Sequence, residues 1–512
     1  MASPAPILLV LPQGLTVTGV TTWALRLAGA LIARGRPVAI LVHGDLDDHR
    51  EMDCPIPEGV RLFRADDLPP IGSTEGNLAP FLPHYRFAAQ SMAGDAGRPC
   101  VLVPTRHGDC FGACAQLTRE FPSDVRLVGW QHLDSAYENA VVARYERACA
   151  KLAGVSSHIA CLLARRFGAR RSDILAIHNG VDTPSEPPKR KPLAGRPLRL
   201  IYTGRLEHEQ KRVLALVELS AALSRRGVDH RLVIVGDGPA LARLQAIAET
   251  NENIRIVPGV PPHAIACRLD QADVFVLASR REGMSVSLLE AMARGCAPVI
   301  TRTASGAGEV VEPGKTGELI DFDETTTDEA LASALADGIG RVLAAGVHEV
   351  GQAAWNRVRT TFSLEAQGER TERLIEAAAG APARSWPEDV NPAFSAPGLG
   401  SGAVPPDAGD RLAALLAGLS GRKVLIHGAG AHTRALHEHI AAASEQIVGV
   451  CDDDPELSGR EVAGLPVIEP KHAGGAGATD VVISSWLHEE SIWARREVFE
   501  RQGLRVHRLY AD

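Results

Sequence analysis

The sequence predicts an α/β protein built from parallel, doubly wound sheets. Three observations carry that reading. Short, wholly apolar runs recur, among them ILLVL at 7–11, VFVLA at 274–278 and VLI at 424–426. Strands buried on both faces read this way, and such strands belong to parallel sheets covered by helices. The runs alternate with glycine turns and longer helical stretches, the order strand, loop, helix, strand of a doubly wound sheet. The pattern also begins afresh twice. Residues 183–197 (TPSEPPKRKPLAGRP) and a stretch after 379 rich in Pro, Gly, Ala and Ser interrupt it. The expected organisation is therefore a first α/β domain over 1–183, a second over 197–378, a flexible linker over 379–409 and a third, smaller α/β domain over 410–512. A chain ending near Ala379 should then hold a complete folding unit.

Composition narrows the class. The 512 residues carry 54 Lys and Arg against 62 Asp and Glu, a formal charge of −8, which gives no general attraction to nucleic acid. Nine cysteines form no paired framework; Cys110 and Cys114 are the one close pair and no second pair completes a zinc site. Reduced thiols in a cytoplasm are the expectation. No uncharged run of 18 or more apolar residues occurs, and the N-terminal MASPAPILLVL has no basic segment ahead of it, so it reads as a first strand.

In the first domain, 7–11 and 38–43 are strands joined by the loop GLTVTGV (14–20) and a helix over 21–34. Residues 101–104 and 127–130 are further strands, the second running into GWQHLD (129–134). His132 thus falls at the carboxyl end of a parallel strand, where ligands of open α/β sheets gather, with Asp134 in the same loop. Residues 140–167 read as one helix bearing Arg144, Arg147, Lys151, Arg165 and Arg166, with Arg170 and Arg171 beyond. These cations are either solvated helix faces or a basic patch for anionic lipid.

In the second domain, 198–202 is a strand followed by TGRLEHEQKR (203–212), 231–235 a strand followed by GDGP (236–239), and 254–258 a third. After the strand at 274–278 comes RREGMSVSLLEAMARGCAPVI (280–300). Two carboxylates, Glu282 and Glu290, flank the start of a helix that Gly295 and Pro298 stop. A helix start offers unpaired amides and the positive end of the dipole, which suits a phosphate. Glu282 just before it suits a sugar hydroxyl, and Glu290 two turns in suits a ribose on the same phosphate. An ordinary strand–loop–helix unit with solvated glutamates is the competing reading. Residues 328–377 read as helices, and Asp321 and Asp323 as a solvated loop.

EGMSVSLLE (282–290), continued by AMARGCAPVI, resembles the E-x7-E signature of retaining glycosyltransferases of family four. The resemblance extends over roughly 5–375, through NGVD (179–182), TGR…K (203–211), GDGP and the turn 304–320 headed by Glu309. It implies the GT-B fold: two facing Rossmann-like domains with a cleft between them, closed by a final helix that crosses back to the first. It also implies transfer of a sugar from a UDP- or GDP-sugar donor to a glycan, lipid or other acceptor, in cell-surface polysaccharide or glycoconjugate synthesis. By that resemblance Arg205 and Lys211 grip the diphosphate, and His132 and Glu282 contact the donor sugar. Gly19, Gly204, Gly236, Gly283, Met284, Ser285, Val286, Ser287 and Glu290 complete the donor site. In Gly19 the match is partial, because Thr18 stands where the family often has a second glycine. No metal or other cofactor is required by these motifs. A cytoplasmic enzyme, peripheral at the inner face of the membrane through the first domain, is the implied setting.

The third domain has strands at 423–427 and 447–451, separated by GAGAHTRAL (428–436). Gly428 and Gly430 match the first two glycines of a dinucleotide fingerprint, Thr433 replaces the third, and Asp452 lies near the ribose-acid distance. This part is similar to small Rossmann-like domains of sugar acyltransferases and sugar C-methyltransferases. That implies a nucleotide-sugar ligand; a ligand-free assembly module fits the residues equally. Two other functions are weighed: a nucleotide-sugar-binding or scaffold protein without turnover, and a dehydrogenase or epimerase. The latter needs a Tyr-x-x-x-Lys pair, and the third domain has Tyr510 alone.

Overall fold

The structure is a computed structural model. It describes residues 3–394 and 408–510 apart from 13, 16–17, 45–54, 69–70, 72–75, 106, 324, 454–456, 486–488 and 494–495. The chain divides into two compact units, Met1–Phe394 and Ser395–Asp512.

The first unit holds two parallel sheets. One is built from β1 (Ile7–Leu11), β2 (Val38–His43), β3 (Arg61–Ala65), β4 (Cys100–Pro104), β5 (Val125–Gln131), β6 (Cys149–Gly154) and β7 (Ile174–Ala176), in the order β3-β2-β1-β4-β5-β6-β7. The other comprises β8 (Leu198–Thr203), β9 (His230–Val235), β10 (Ile254–Val257), β11 (Val274–Leu277), β12 (Ala297–Thr301) and β13 (Glu318–Ile320), in the order β10-β9-β8-β11-β12-β13. The apolar runs are the central strands: every residue of β1, β2, β4, β11 and β12 is buried. Strand order reverses between β1 and β4 and between β8 and β11, so each sheet opens a crevice at its carboxyl edge.

The last of the three helices that follow β13, Leu364–Ala379, returns to the first sheet. Glu372 pairs with Arg34 at 2.7 Å, and Glu376 with Arg36 at 3.0 Å and Arg98 at 2.8 Å, while the Ala5 amide donates to Glu376 at 3.2 Å. Among the described residues no single helix is long and apolar enough to cross a membrane.

Two sequence expectations are corrected. Residues 140–167 are not one helix: helix Ala136–Tyr145 ends, β6 crosses the sheet, and a new helix, Ser157–Arg166, is capped by Ser156. The apolar run CAKLAG is short enough to serve either state, and burial in the sheet decides it. The cations there do not form one face either. Lys151 and Arg170 pair with Asp173, Arg170 also with Glu146, and Arg144 donates to the carbonyls of Asn391 and Ala393.

The second correction concerns the linker expected over 379–409. Ala379 closes a helix and 408–409 open another, 395–407 lie outside the described residues, and 386–394 are packed onto the first sheet's helices. Trp386 is buried, with its amide on Thr118 Oγ1 at 3.1 Å and its ring 5.3 Å from that of Tyr145. Tyr145 donates to the Pro392 carbonyl at 2.7 Å, and the Phe394 amide donates to Asp109 at 2.9 Å. The strap lies so close that a Cβ on Gly112 would stand 2.3 Å from the Pro392 oxygen. Proline and small residues made this stretch look unstructured; its anchors are two widely spaced aromatics with no period to betray them.

The second unit is a six-stranded sheet of β14 (Val424–His427), β15 (Ile447–Cys451), β16 (Glu461–Val462), β17 (Leu465–Ile468), β18 (Asp480–Ile483) and β19 (Arg505–Arg508), ordered β16-β17-β15-β14-β18-β19. All its pairings are parallel except β16 with β17.

Because the strap is part of the folded unit, Trp386→Ala should lower the unfolding free energy of the first unit by about 3 kcal/mol, the usual cost of emptying a buried aromatic site. The midpoint of denaturant unfolding measures it, and an unchanged midpoint would mean the strap contributes nothing.

Candidate active site

The loops after β8 and β9 lock together. Gly236 has φ 157°, and a Cβ there would lie 1.8 Å from the Gly204 oxygen, so only glycine lets the two backbones touch. The Leu206 amide donates to the Asp237 carbonyl at 2.7 Å, and Tyr202 donates to the Arg205 carbonyl at 2.8 Å, fixing the loop while the Arg205 side chain stays exposed. A single helical turn, His208–Lys211, follows and ends at Arg212 in the left-handed region, φ 50°. Arg212 is buried and its guanidinium is held by Asp328 at 2.5 Å, which stabilises that conformation and directs Lys211. Lys211 Nζ reaches Glu282 Oε1 at 2.7 Å; Ser279 donates to the same oxygen at 2.7 Å.

Ser285 caps the helix Val286–Ala293, accepting the Leu288 amide at 3.3 Å, so the amides of Val286 and Ser287 stand at the helix start. Met284 is buried beside them, and its carbonyl accepts from Asn179 Nδ2 at 2.9 Å. From the first sheet, helix Gly19–Ile32 sends Arg26 across: its Nη2 lies 2.5 Å from Glu290 Oε1. Gly19 opens that helix in open space, where a Cβ would meet nothing within 4 Å. Gly283 meets the loop after β5 backbone to backbone: a Cβ would lie 1.7 Å from the His132 oxygen. His132 therefore stands against the E-x7-E loop, its ring edge-on to Trp23 at 4.6 Å. The cavity bordered by Glu282, Ser285 and Gly306 is about 10 Å³.

Beneath this contact Glu309 ties the halves. Its carboxylate accepts His178 Nε2 at 2.7 Å and the amides of Ser157 and His158 at 2.9 and 3.0 Å, capping a first-sheet helix from the second sheet's side. Burial would raise its pKa, but the His178 and amide hydrogen bonds outweigh that and hold it at about 2.

The structure thus gathers Lys211, Glu282, Gly283, Met284, Ser285, Glu290 and His132 at one meeting place, with Arg205, Gly204 and Gly236 in the adjoining loops. Asp134 accepts from Asn139 at 2.9 Å and faces the helix that follows it. Asp321 pairs with Arg302 at 2.6 Å, whereas Asp323 caps its own turn, accepting the Thr325 amide at 2.9 Å. Among the described residues no group of three or more potential ligands could hold a metal ion.

In the second unit Gly428 has φ 109°, and Asp452 Oδ2 accepts the Ala429 amide at 2.6 Å, so the acid faces the glycine turn. Gly430 precedes the short helix Ala431–Ala435. Thr433, which stands at the place of the third glycine, is buried. Its buried hydroxyl donates to the Gly428 carbonyl at 2.5 Å and meets Ser484 Oγ at 2.9 Å, tying the turn to the helix.

Three residues important to this geometry carried little sequence signal. Arg26 is a single cation on a helix, and Arg212 is the second of a Lys-Arg pair in which Lys211 drew the notice. Glu138, whose carboxylate accepts the amides of His132 and Leu133, is the fourth residue of SAYE (135–138), a capping-box pattern that could have been noticed.

Two parallel sheets meeting through the loops at their carboxyl edges, with a terminal helix crossing back, are the architecture of a GT-B glycosyltransferase. Residues 17–184 match Glycosyltransferase Family 4 and residues 185–343 match Glycosyl transferases group 1, so this part of the chain belongs to the GT-B glycosyltransferases. A putative colanic acid biosynthesis glycosyltransferase, WcaL, of Salmonella typhimurium is 32% identical over 221 residues, 41% of this chain and 53% of its own. A lipopolysaccharide 1,6-galactosyltransferase of the same organism is 30% identical over 167 residues, 31% of this chain and 44% of its own. The chain thus spans about half the length of these relatives. The fold of a sucrose-phosphate synthase from Thermosynechococcus elongatus superimposes with a TM-score of 0.57 at 19% identity, over 73% of this chain and 98% of that one.

A carboxylate whose folded pKa is depressed stabilises above its unfolded pKa, and that stability is lost as pH falls towards the folded value. For Glu309 the window runs from its ordinary 4.5 down to about 2. Glu309→Gln should therefore lower stability at neutral pH and flatten the decline between those limits. Thermal midpoints across pH 2–7 test this; parallel curves for both proteins would contradict it.

Proposed function

We propose that the chain is a retaining, metal-independent glycosyltransferase. It moves a sugar from a UDP- or GDP-sugar to a glycan, a lipid-linked glycan or another acceptor in surface polysaccharide or glycoconjugate synthesis. The observation that carries this reading is the convergence of Lys211, Glu282, Glu290 and the start of helix Val286–Ala293 against His132. The relatives named above, a colanic acid biosynthesis glycosyltransferase and a lipopolysaccharide galactosyltransferase, support the acceptor class.

In this reading the donor diphosphate lies on Arg205, Lys211 and the amides of Val286 and Ser287. The leaving nucleoside diphosphate gains negative charge in the transition state, and fixed donors stabilise charge as it develops. Arginine offers a planar fork to two phosphate oxygens, lysine a compact point charge. Glu290 holds the ribose, while Glu282 and His132 hold the sugar. Lys211 and Ser279 both donate to one oxygen of Glu282, which holds the carboxylate in one orientation, pointed for a hydroxyl. Retaining glycosidases work by double displacement with two carboxyl groups flanking the sugar, one of them a nucleophile. Glu282 and Glu290 each face a cation instead, so attack on the face the diphosphate leaves, with a phosphate oxygen taking the acceptor proton, fits the residues better.

Arg205→Ala and Lys211→Ala should each reduce turnover roughly 10²-fold, the range for loss of one transition-state donor. Release of nucleoside diphosphate from UDP-glucose, UDP-galactose and GDP-mannose measures it, and absence of release by the parent protein would favour a binding or scaffold role. With the competent donor, activity should persist in excess EDTA and an α-linked donor should give an α-linked product by NMR. A β-product would exclude retention.

A further inference from the structure

His132 is held by more than its place after β5. Its amide donates to Glu138 Oε2 at 2.7 Å, and the next amide, Leu133, donates to the same oxygen at 2.8 Å. Glu138 is only 3% exposed. Its own amide closes on Ser135 Oγ at 3.2 Å, at the start of helix Ala136–Tyr145. In the usual capping box the glutamate turns back to the capping residue's own amide. Here it reaches past Ser135 to the two residues that leave the strand. A buried carboxylate accepting amides is a strong, short-range anchor, costly to leave unmade. On the opposite side the His132 carbonyl rests against Gly283, and the imidazole is edge-on to Trp23, itself 5.0 Å from Trp130.

We propose that Glu138 is a positioning residue for His132: it fixes the main chain on which the imidazole turns, while Trp23 fixes the ring. This rests on the role given to His132 in the proposed function. The carboxylate touches neither donor nor acceptor and acts through the loop. Displacement of a reacting-site group by about 1 Å is enough to cost around 10²-fold in rate. Because backbone amides are the partners, an acceptor oxygen at the same place does part of the work. Gln should rescue what Ala loses.

The test is a double-mutant cycle in the full chain, with donor turnover on UDP-glucose, UDP-galactose and GDP-mannose as the readout. Glu138→Ala should lower kcat 10- to 100-fold with donor KM changed less than about threefold, and Glu138→Gln should recover most of the loss. In a His132→Ala background, adding Glu138→Ala should cost less than about threefold more, because its path of action is already gone. Losses that multiply would overturn the inference. If His132→Ala leaves turnover intact, the role given to His132 falls with it. If His132→Ala is impaired but Glu138→Ala is not, only the positioning role fails. Hydrogen exchange supplies an arm independent of the donor. The amides of His132 and Leu133 should exchange at least about tenfold faster in Glu138→Ala, with β1 and β4 unchanged, and still be slowed in Glu138→Gln. Unchanged exchange at these two amides overturns the inference whatever the donor proves to be. Trp23→Phe, which keeps an aromatic edge, should leave both amides protected and reduce kcat by less than Glu138→Ala; faster exchange there would shift the anchor to the aromatic pair.

Discussion

The geometry depends on one steric constraint: the second sheet's loop approaches the first sheet's loop closely enough that backbone touches backbone. At Gly283 even a methyl group would overlap the His132 carbonyl. That approach brings residues from strands far apart in the chain into a single site, and most of the nearby hydrogen bonds serve to hold it. Asn179 ties to the Met284 carbonyl, Glu309 caps a helix of the other half, and Gly306 donates to the Gly283 carbonyl at 2.8 Å. Backbone contact of this kind is rigid because no rotamer can relax it.

Beside this contact two cations, Arg212 and Lys211, are held by anions. Asp328 holds Arg212, which sets the turn that aims Lys211, which in turn meets Glu282. A chain of paired charges stabilises each member in its working orientation at modest energetic return, since partly exposed pairs contribute little by themselves. Its effect is on geometry: each pair restricts the orientation of its two side chains.

The parts of this arrangement legible in the sequence were those written in local patterns. The apolar runs marked the central strands, and Gly283 and Ser285 between Glu282 and Glu290 marked the turn and the helix start. What stayed hidden depends on partners distant in sequence. CAKLAG is a strand because Leu127 and Ile174 neighbours accept it into the sheet, not because of its own period. The strap with Trp386 and Phe394 is ordered by Tyr145 and Asp109 more than 240 positions away. Arg26 gave no sign of itself, since one arginine on an amphipathic helix looks like any other until the opposing Glu290 is in view. Site roles for individual side chains came from resemblance; composition and spacing alone would have left the glutamates as solvated surface.

The Arg26–Glu290 pair has a consequence of another kind. The two side chains are 19% and 21% exposed, so the contact is sheltered from bulk solvent without being sealed. To any ligand that needs both oxygens of Glu290, the guanidinium is a competitor carried by the protein itself, always present and never diluted. The affinity such a ligand displays is its intrinsic affinity reduced by the fraction of molecules in which Arg26 has let go.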